Sequence, residues 1–103
     1  MITEFKTTFK NDFTIADKFG ASAVKDTFNR AFNEWKNNVV YVTELCVVLN
    51  WKIWEHYEKN NEELTRLYND LWEQVDIWCQ ENLKGKDLKY FYKNSCIFAK
   101  TML

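Results

Sequence analysis

The chain predicts an all-α fold: a small antiparallel helical bundle of three long helices and two short ones, with an extended N-terminal arm. Three observations carry this reading. There is no proline and there are only two glycines, Gly20 and Gly85, so few positions interrupt a helix. Apolar residues recur at helical spacing over most of the chain. Asparagine or glycine stands wherever that spacing resets, as expected of residues that cap and terminate helices. With 103 residues, 47% of them apolar and 17% aromatic, the chain suits one domain (1–103) with a core of its own, which excludes intrinsic disorder.

Each element has its own signal. Residues 1–10 set Phe5, Thr7 and Phe9 against Glu4, Lys6 and Thr8, the alternation of an extended arm lying across a core. Asn11 or Asp12 then caps a short helix through Lys18, with Phe13, Ala16 and Phe19 apolar and Gly20 as its stop. Val24, Phe28, Ala31, Phe32 and Trp35 mark a second helix from Ser22 to about Asn37. After Asn37-Asn38, a third helix ending near Lys59 carries the stripe Val42, Leu45, Cys46, Leu49 and Ile53. Val40, Val47, Trp51 and Trp54 fall far from that stripe, so this helix is apolar nearly all round and either is enclosed or presents a second face to a partner. Asn60-Asn61 and the acidic pair Glu62-Glu63 open a fourth helix, whose broad apolar arc runs from Leu64 to Leu83 before Lys84-Gly85 ends it. A short fifth helix from Lys86 to about Lys93 buries Leu88 and Phe91, and residues 95–103 read as a loose tail.

Composition narrows the function classes. A net charge of −1 gives no global attraction to phosphate backbones, so general nucleic-acid binding is disfavoured. Charge is nonetheless polarised: Lys84, Lys86, Lys89, Lys93 and Lys100 face Asp87 alone, which makes a basic end on an acidic body. Cys46, Cys79 and Cys96 are an odd set with no metal-ligand spacing, which fits a reducing interior and argues against a disulfide framework or a zinc site. The longest apolar run, Val39 to Trp54, is broken by Glu44, Asn50 and Lys52 and falls short of the roughly 20 residues of a membrane span. No secretory or lipidation signal opens the chain. The expected location is therefore the cytoplasm, without membrane attachment.

Candidate chemistry is sparse. His56 is the only histidine, and Glu55-His56 lacks the spacing that aims two ligands at one metal. It reads as a partly exposed polar residue near the end of the third helix. Cys46 and Cys79 lie in apolar stripes and read as small hydrophobes. The pairs Glu73/Asp76 and Glu55/Glu58 have the spacing of the ordinary solvated side of a helix. No catalytic residue, cofactor or metal is assigned, and the expectation is a protein that is not an enzyme.

Surface is more informative than chemistry. Five tryptophans and five tyrosines exceed what a small bundle needs, and these residues are enriched where proteins grip one another. Val47, Trp51, Trp54 and Tyr57 make the candidate protein-interaction face. Lys86, Lys89, Tyr90 and Lys93 make a second candidate, a basic and aromatic end able to stack on a base and neutralise a phosphate.

The blocks Phe13-Thr14-Ile15-Ala16-Asp17-Lys18-Phe19-Gly20, Phe28-Asn29-Arg30-Ala31-Phe32-Asn33-Glu34-Trp35-Lys36, Leu49-Asn50-Trp51-Lys52-Ile53-Trp54 and Glu81-Asn82-Leu83-Lys84-Gly85 resemble a family of short proteins encoded by phages and integrative mobile elements of Firmicutes. The likeness covers most of residues 9–92, and the ending from Ser95 departs from it. The resemblance implies a setting, not a reaction: small accessory proteins of mobile elements bind and block host machinery, including defence systems. The expected function is accordingly a non-enzymatic interaction protein that inhibits a host defence or replication protein, in the manner of an anti-CRISPR, with a homodimer through the same face as its self-associating version. The alternative is a small-ligand binder that sequesters a nucleotide or signalling molecule in an aromatic and basic cleft.

Overall fold

Five helices, α1 (Ile2–Asp17), α2 (Ala21–Trp35), α3 (Val39–Glu58), α4 (Glu62–Asn82) and α5 (Lys86–Met102), account for 86% of the chain, and no strand occurs among the described residues. The computed structural model describes the backbone of residues 2–102 and the side chains of residues 9–95. Within that range no helix is long and apolar enough to cross a membrane.

The joints follow from single residues. Gly20 adopts φ 106°, ψ −175°, a region open essentially to glycine, and so turns the chain from α1 into α2. Asn38 caps α3, its side-chain oxygen accepting from the amides of Val40 and Tyr41 at 3.1 and 3.3 Å. The end of α3 is a Schellman motif. Asn60 sits at φ 59°, its amide donates to the Tyr57 carbonyl at 3.1 Å, and the Asn61 amide reaches back to the His56 carbonyl at 2.9 Å. Asn61 then caps α4 by accepting from the Leu64 amide at 3.2 Å. One asparagine pair thus closes α3 and opens α4, which holds the last turn of α3 in place.

α3 packs against all four other helices and forms the axis of the core. Val42 to Leu49 are all buried, and they meet Phe9, Phe13, Val24, Phe28, Tyr68, Leu71, Val75 and Phe91 from the surrounding helices. Each such apolar side chain contributes about 1.5–3 kcal/mol on burial. Helix three is therefore buried all round from Val42 to Leu49, with Thr43 and Glu44 buried among its apolar residues.

Two sequence expectations are corrected. The expected N-terminal arm is helical: α1 begins at Ile2, not near Asn11. Phe9, Phe13 and Ala16 are buried together at helical spacing, and no glycine or proline precedes Gly20 to interrupt them, so the 3.6-residue period prevails over the apparent alternation. The fifth helix is not short, and of the expected loose tail 95–103 the backbone of 95–102 is helical, because α5 continues to Met102. Leu88, Phe91 and Ser95 keep one face turned inward and no breaker follows Lys93. The side chains of 1–8 and 96–103, Cys96 and Lys100 included, lie outside the described residues.

Candidate functional site

The second half of α3 faces α1 and carries the molecule's most unusual chemistry. Lys52 has a fully buried side chain. Its ammonium Nζ lies 2.7 Å from Asp17 Oδ2, 2.7 Å from Glu55 Oε2 and 3.4 Å from Thr14 Oγ1. Three N–H bonds thus meet three oxygens, which matches the donor capacity of the buried ammonium. Asp17 is the hub. Its Oδ2 also accepts from His56 Nε2 at 2.8 Å, and its Oδ1 accepts from the Tyr68 hydroxyl at 2.5 Å. His56 stacks on the Tyr68 ring, 5.4 Å between centroids and 7° from parallel, and Phe13 meets the same ring edge-on at 5.7 Å. The network ties α1, α3 and α4 together.

The electrostatics follow from these contacts. Burial alone raises the Glu55 carboxyl, but the hydrogen bond and charge of Lys52, with Lys59 and His56 adding, outweigh it and hold the group below the usual carboxylate range. Burial first, and the Asp17 hydrogen bond second, push the Tyr68 phenol well above its ordinary value, so it remains a donor. An ionised Asp17 accepts only, so Nε2 of His56 carries the proton shared with it. His56 Nδ1 is buried with no hydrogen-bond partner among the described residues, at a cost of about 1–3 kcal/mol.

Asp17, Glu55 and His56 place three ligand-type atoms within 4.8 Å of one another. Their shared centre already has a cation, since the Lys52 ammonium touches both carboxylates. The donor set is thus built around a tethered ammonium and not around a metal ion. His56, expected as a partly exposed polar residue, is instead buried. Sequence reasoning missed this cluster, although a signal existed: Lys52 and His56 continue the inward register Leu45, Leu49, and Asp17 continues Phe9, Phe13. A polar residue at an apolar register is what a buried network looks like in sequence.

The predicted interaction residues divide. Val47 is 2% exposed and does not reach the surface. It borders a groove of about 220 Å³ with Cys46, with Trp72 of α4 and with Tyr92 of α5, so that α4 and α5 flank this side of α3. Trp51 is half-buried. Trp54 and Tyr57 are 36% and 63% exposed and meet edge to face at 5.8 Å. Trp51, Trp54, Glu55, Glu58 and Lys10 line a groove of about 400 Å³, within which the Lys10 ammonium stands 5.7 Å over the Trp51 ring. The aromatic surface and the buried network therefore share Glu55.

The residues of the expected basic end sit at the start of α5. Lys86, Lys89 and Lys93 are exposed on the first turns of α5, and Tyr90 is half-buried. Burial, with the charge of Glu44 adding, raises the Tyr90 phenol. The groove bordering α5 is lined by Asn50, Asp76 and Ser95 in addition to the four residues named above, and not by these lysines. Cys46 and Cys79 are buried, and burial, then the charge of Asp76, pushes the Cys79 thiol up to about 12. A larger groove of about 490 Å³ separates α1 from α2 and carries Phe19, 79% exposed, between Asp12, Asp26, Arg30 and Glu34.

Comparison of the chain with family models, with curated proteins and with solved structures finds no match.

Proposed function

We propose that this chain is a non-enzymatic helical interaction protein, an accessory product of a phage or mobile element. In this reading it forms an antiparallel bundle in the bacterial cytoplasm and binds a host protein of defence or replication through the outer face of α3. The observation that supports the reading is the Trp54 and Tyr57 pair, two large rings held edge to face yet left exposed. Exposed aromatic anchors on a rigid helix are what a protein interface spends its binding energy on, because they bury much area while ordering few torsions.

A tagged chain and its Trp54→Ala/Tyr57→Ala variant, each incubated with lysate of a natural host, test this directly. The wild type is expected to retain a host protein that the variant binds at least tenfold more weakly, with unchanged helical circular dichroism. Equal retention by both would reject the face, and loss of helicity would return the rings to the core. Self-association through the same face would appear in light scattering as a mass that falls on dilution.

A further inference from the structure

We propose that the groove lined by Lys10, Trp51, Trp54, Glu55 and Glu58 is a receptor for a cationic side chain, the guanidinium or ammonium of an arginine or lysine presented by the partner protein, with Lys10 as its resident substitute. The inference rests on the proposed binding face and names the chemistry that face selects.

Two indoles and two carboxylates line the groove. The face of an indole is electronegative and is the best aromatic surface for a cation. The carboxylates add formal charge of the same sign. Glu58 is exposed and has no ion-pair partner among the described residues. The contacts of Glu55 with Lys52 and Lys59 fall on Oε2 alone, and the Lys52 contact keeps that carboxylate ionised. An acidic rim is common on protein surfaces, but a second and independent observation points to the ligand. The groove already holds a cation of this chain, since the Lys10 ammonium lies 5.7 Å over Trp51. Lys10 reaches the groove from α1 by an exposed and flexible stem, so a partner's side chain displaces it at the cost of one exposed cation–π contact. The remaining wall is Trp54, more than a third of which stays open to solvent.

The buried network supports this role. Lys52 fixes the Glu55 carboxylate from beneath, and the Schellman motif fixes the backbone of the last turn of α3, so that carboxylate and the helix that carries the rings are in place before a partner arrives. Such preorganisation reduces what binding must spend on ordering.

The test uses the full chain labelled with 5-fluorotryptophan and followed by fluorine NMR, with resonances assigned by single Trp→Phe variants. The probes are acetyl-Gly-Arg-Gly-amide, its citrulline isostere and tetramethylammonium chloride. The arginine peptide is expected to shift the Trp51 and Trp54 resonances saturably, with Trp35, Trp72 and Trp78 little changed, and the citrulline peptide to bind at least tenfold more weakly. Lys10→Met should tighten arginine binding about two- to fivefold by emptying the groove, and more than Lys59→Met, which removes the same charge without touching a ring. Equal responses to arginine and citrulline would overturn the proposal, as would equal gains in the two lysine variants. Tetramethylammonium binding tenfold tighter than the peptide would overturn the assignment to a protein side chain. If the peptide fails while Trp54→Ala/Tyr57→Ala still loses its host protein, the binding face stands without a cation site. If the peptide binds while that variant retains the host protein, the face is rejected and the cation site stands.

Discussion

The two halves of α3 follow opposite rules. From Val42 to Leu49 every residue is buried, apolar and polar alike. From Asn50 to Glu58 the lysine and the histidine turn inward while Trp54 and Tyr57 turn out. The first half is surrounded by helices on all sides, so it has no solvent face on which to sort its residues. The second half meets α1 across Asp17, and this one partly buried carboxylate is enough to reverse the usual arrangement, because it supplies Lys52, His56 and Tyr68 with a common acceptor. Polarity alone does not set burial. A partner of opposite charge at the right place does.

The largest expected effect removes that partner. Asp17→Ala leaves Lys52 buried with one carboxylate fewer and strips Tyr68 and His56 of their acceptor, and is expected to cost about 3–5 kcal/mol in urea unfolding. A loss under about 1 kcal/mol would show that the network contributes little and would dissolve the contrast between the halves.

A matched pair of substitutions sharpens it. Lys52→Met and Leu45→Met put the same side chain into each half. The first takes the ammonium from Asp17 and Glu55 and leaves Asp17 with only His56 and Tyr68 as donors and Glu55 with only Lys59 as a salt-bridging lysine, so about 2–3 kcal/mol is expected, whereas the second conserves volume among apolar neighbours and should cost less than about 1.5 kcal/mol. Equal losses would mean that both sites respond to packing alone.

The smallest effect comes from pH. The Cys79 thiol ionises near 9.0 when exposed and near 12 in the fold, where burial and the charge of Asp76 oppose the thiolate. Between those values the unfolded chain holds fewer protons than the folded one, so stability falls as pH rises, by up to about 1.4 kcal/mol per pH unit. The contribution is complete below pH 9. Melting temperatures recorded between pH 8 and 10 should decline for the wild type and decline less for Cys79→Ala. Parallel declines would assign the pH dependence elsewhere.

Much of the fold was legible because it depends on local signals. Asn38 and Asn61 cap where they were expected, and α4 runs from Glu62 to Asn82 on the arc read from its leucines and tryptophans. The N-terminal segment was misread because Phe5, Thr7 and Phe9 fit two periods, and over so short a stretch only contact with Phe13 and Ala16 separates them. Val47 was misplaced for a different reason. It does lie off the main stripe of α3, but α4 and α5 flank that side, and which helices pack there is decided by the tertiary arrangement. The aromatic face was half legible: Trp54 and Tyr57 are exposed as the register implied, and Trp51 sinks partway beside α1.

The sequence by itself determined that this chain is helical, where most of its helices start and stop, and that it carries more rings than its stripes can absorb. These properties live in spacing, caps and composition, which are local. Only the tertiary structure decided that Lys52 and His56 are interior, that Asp17 is their common partner, and that a lysine from α1 stands over an indole of α3. Each of those joins residues about 40 positions apart, and the energy that fixes them exists only once two helices have met.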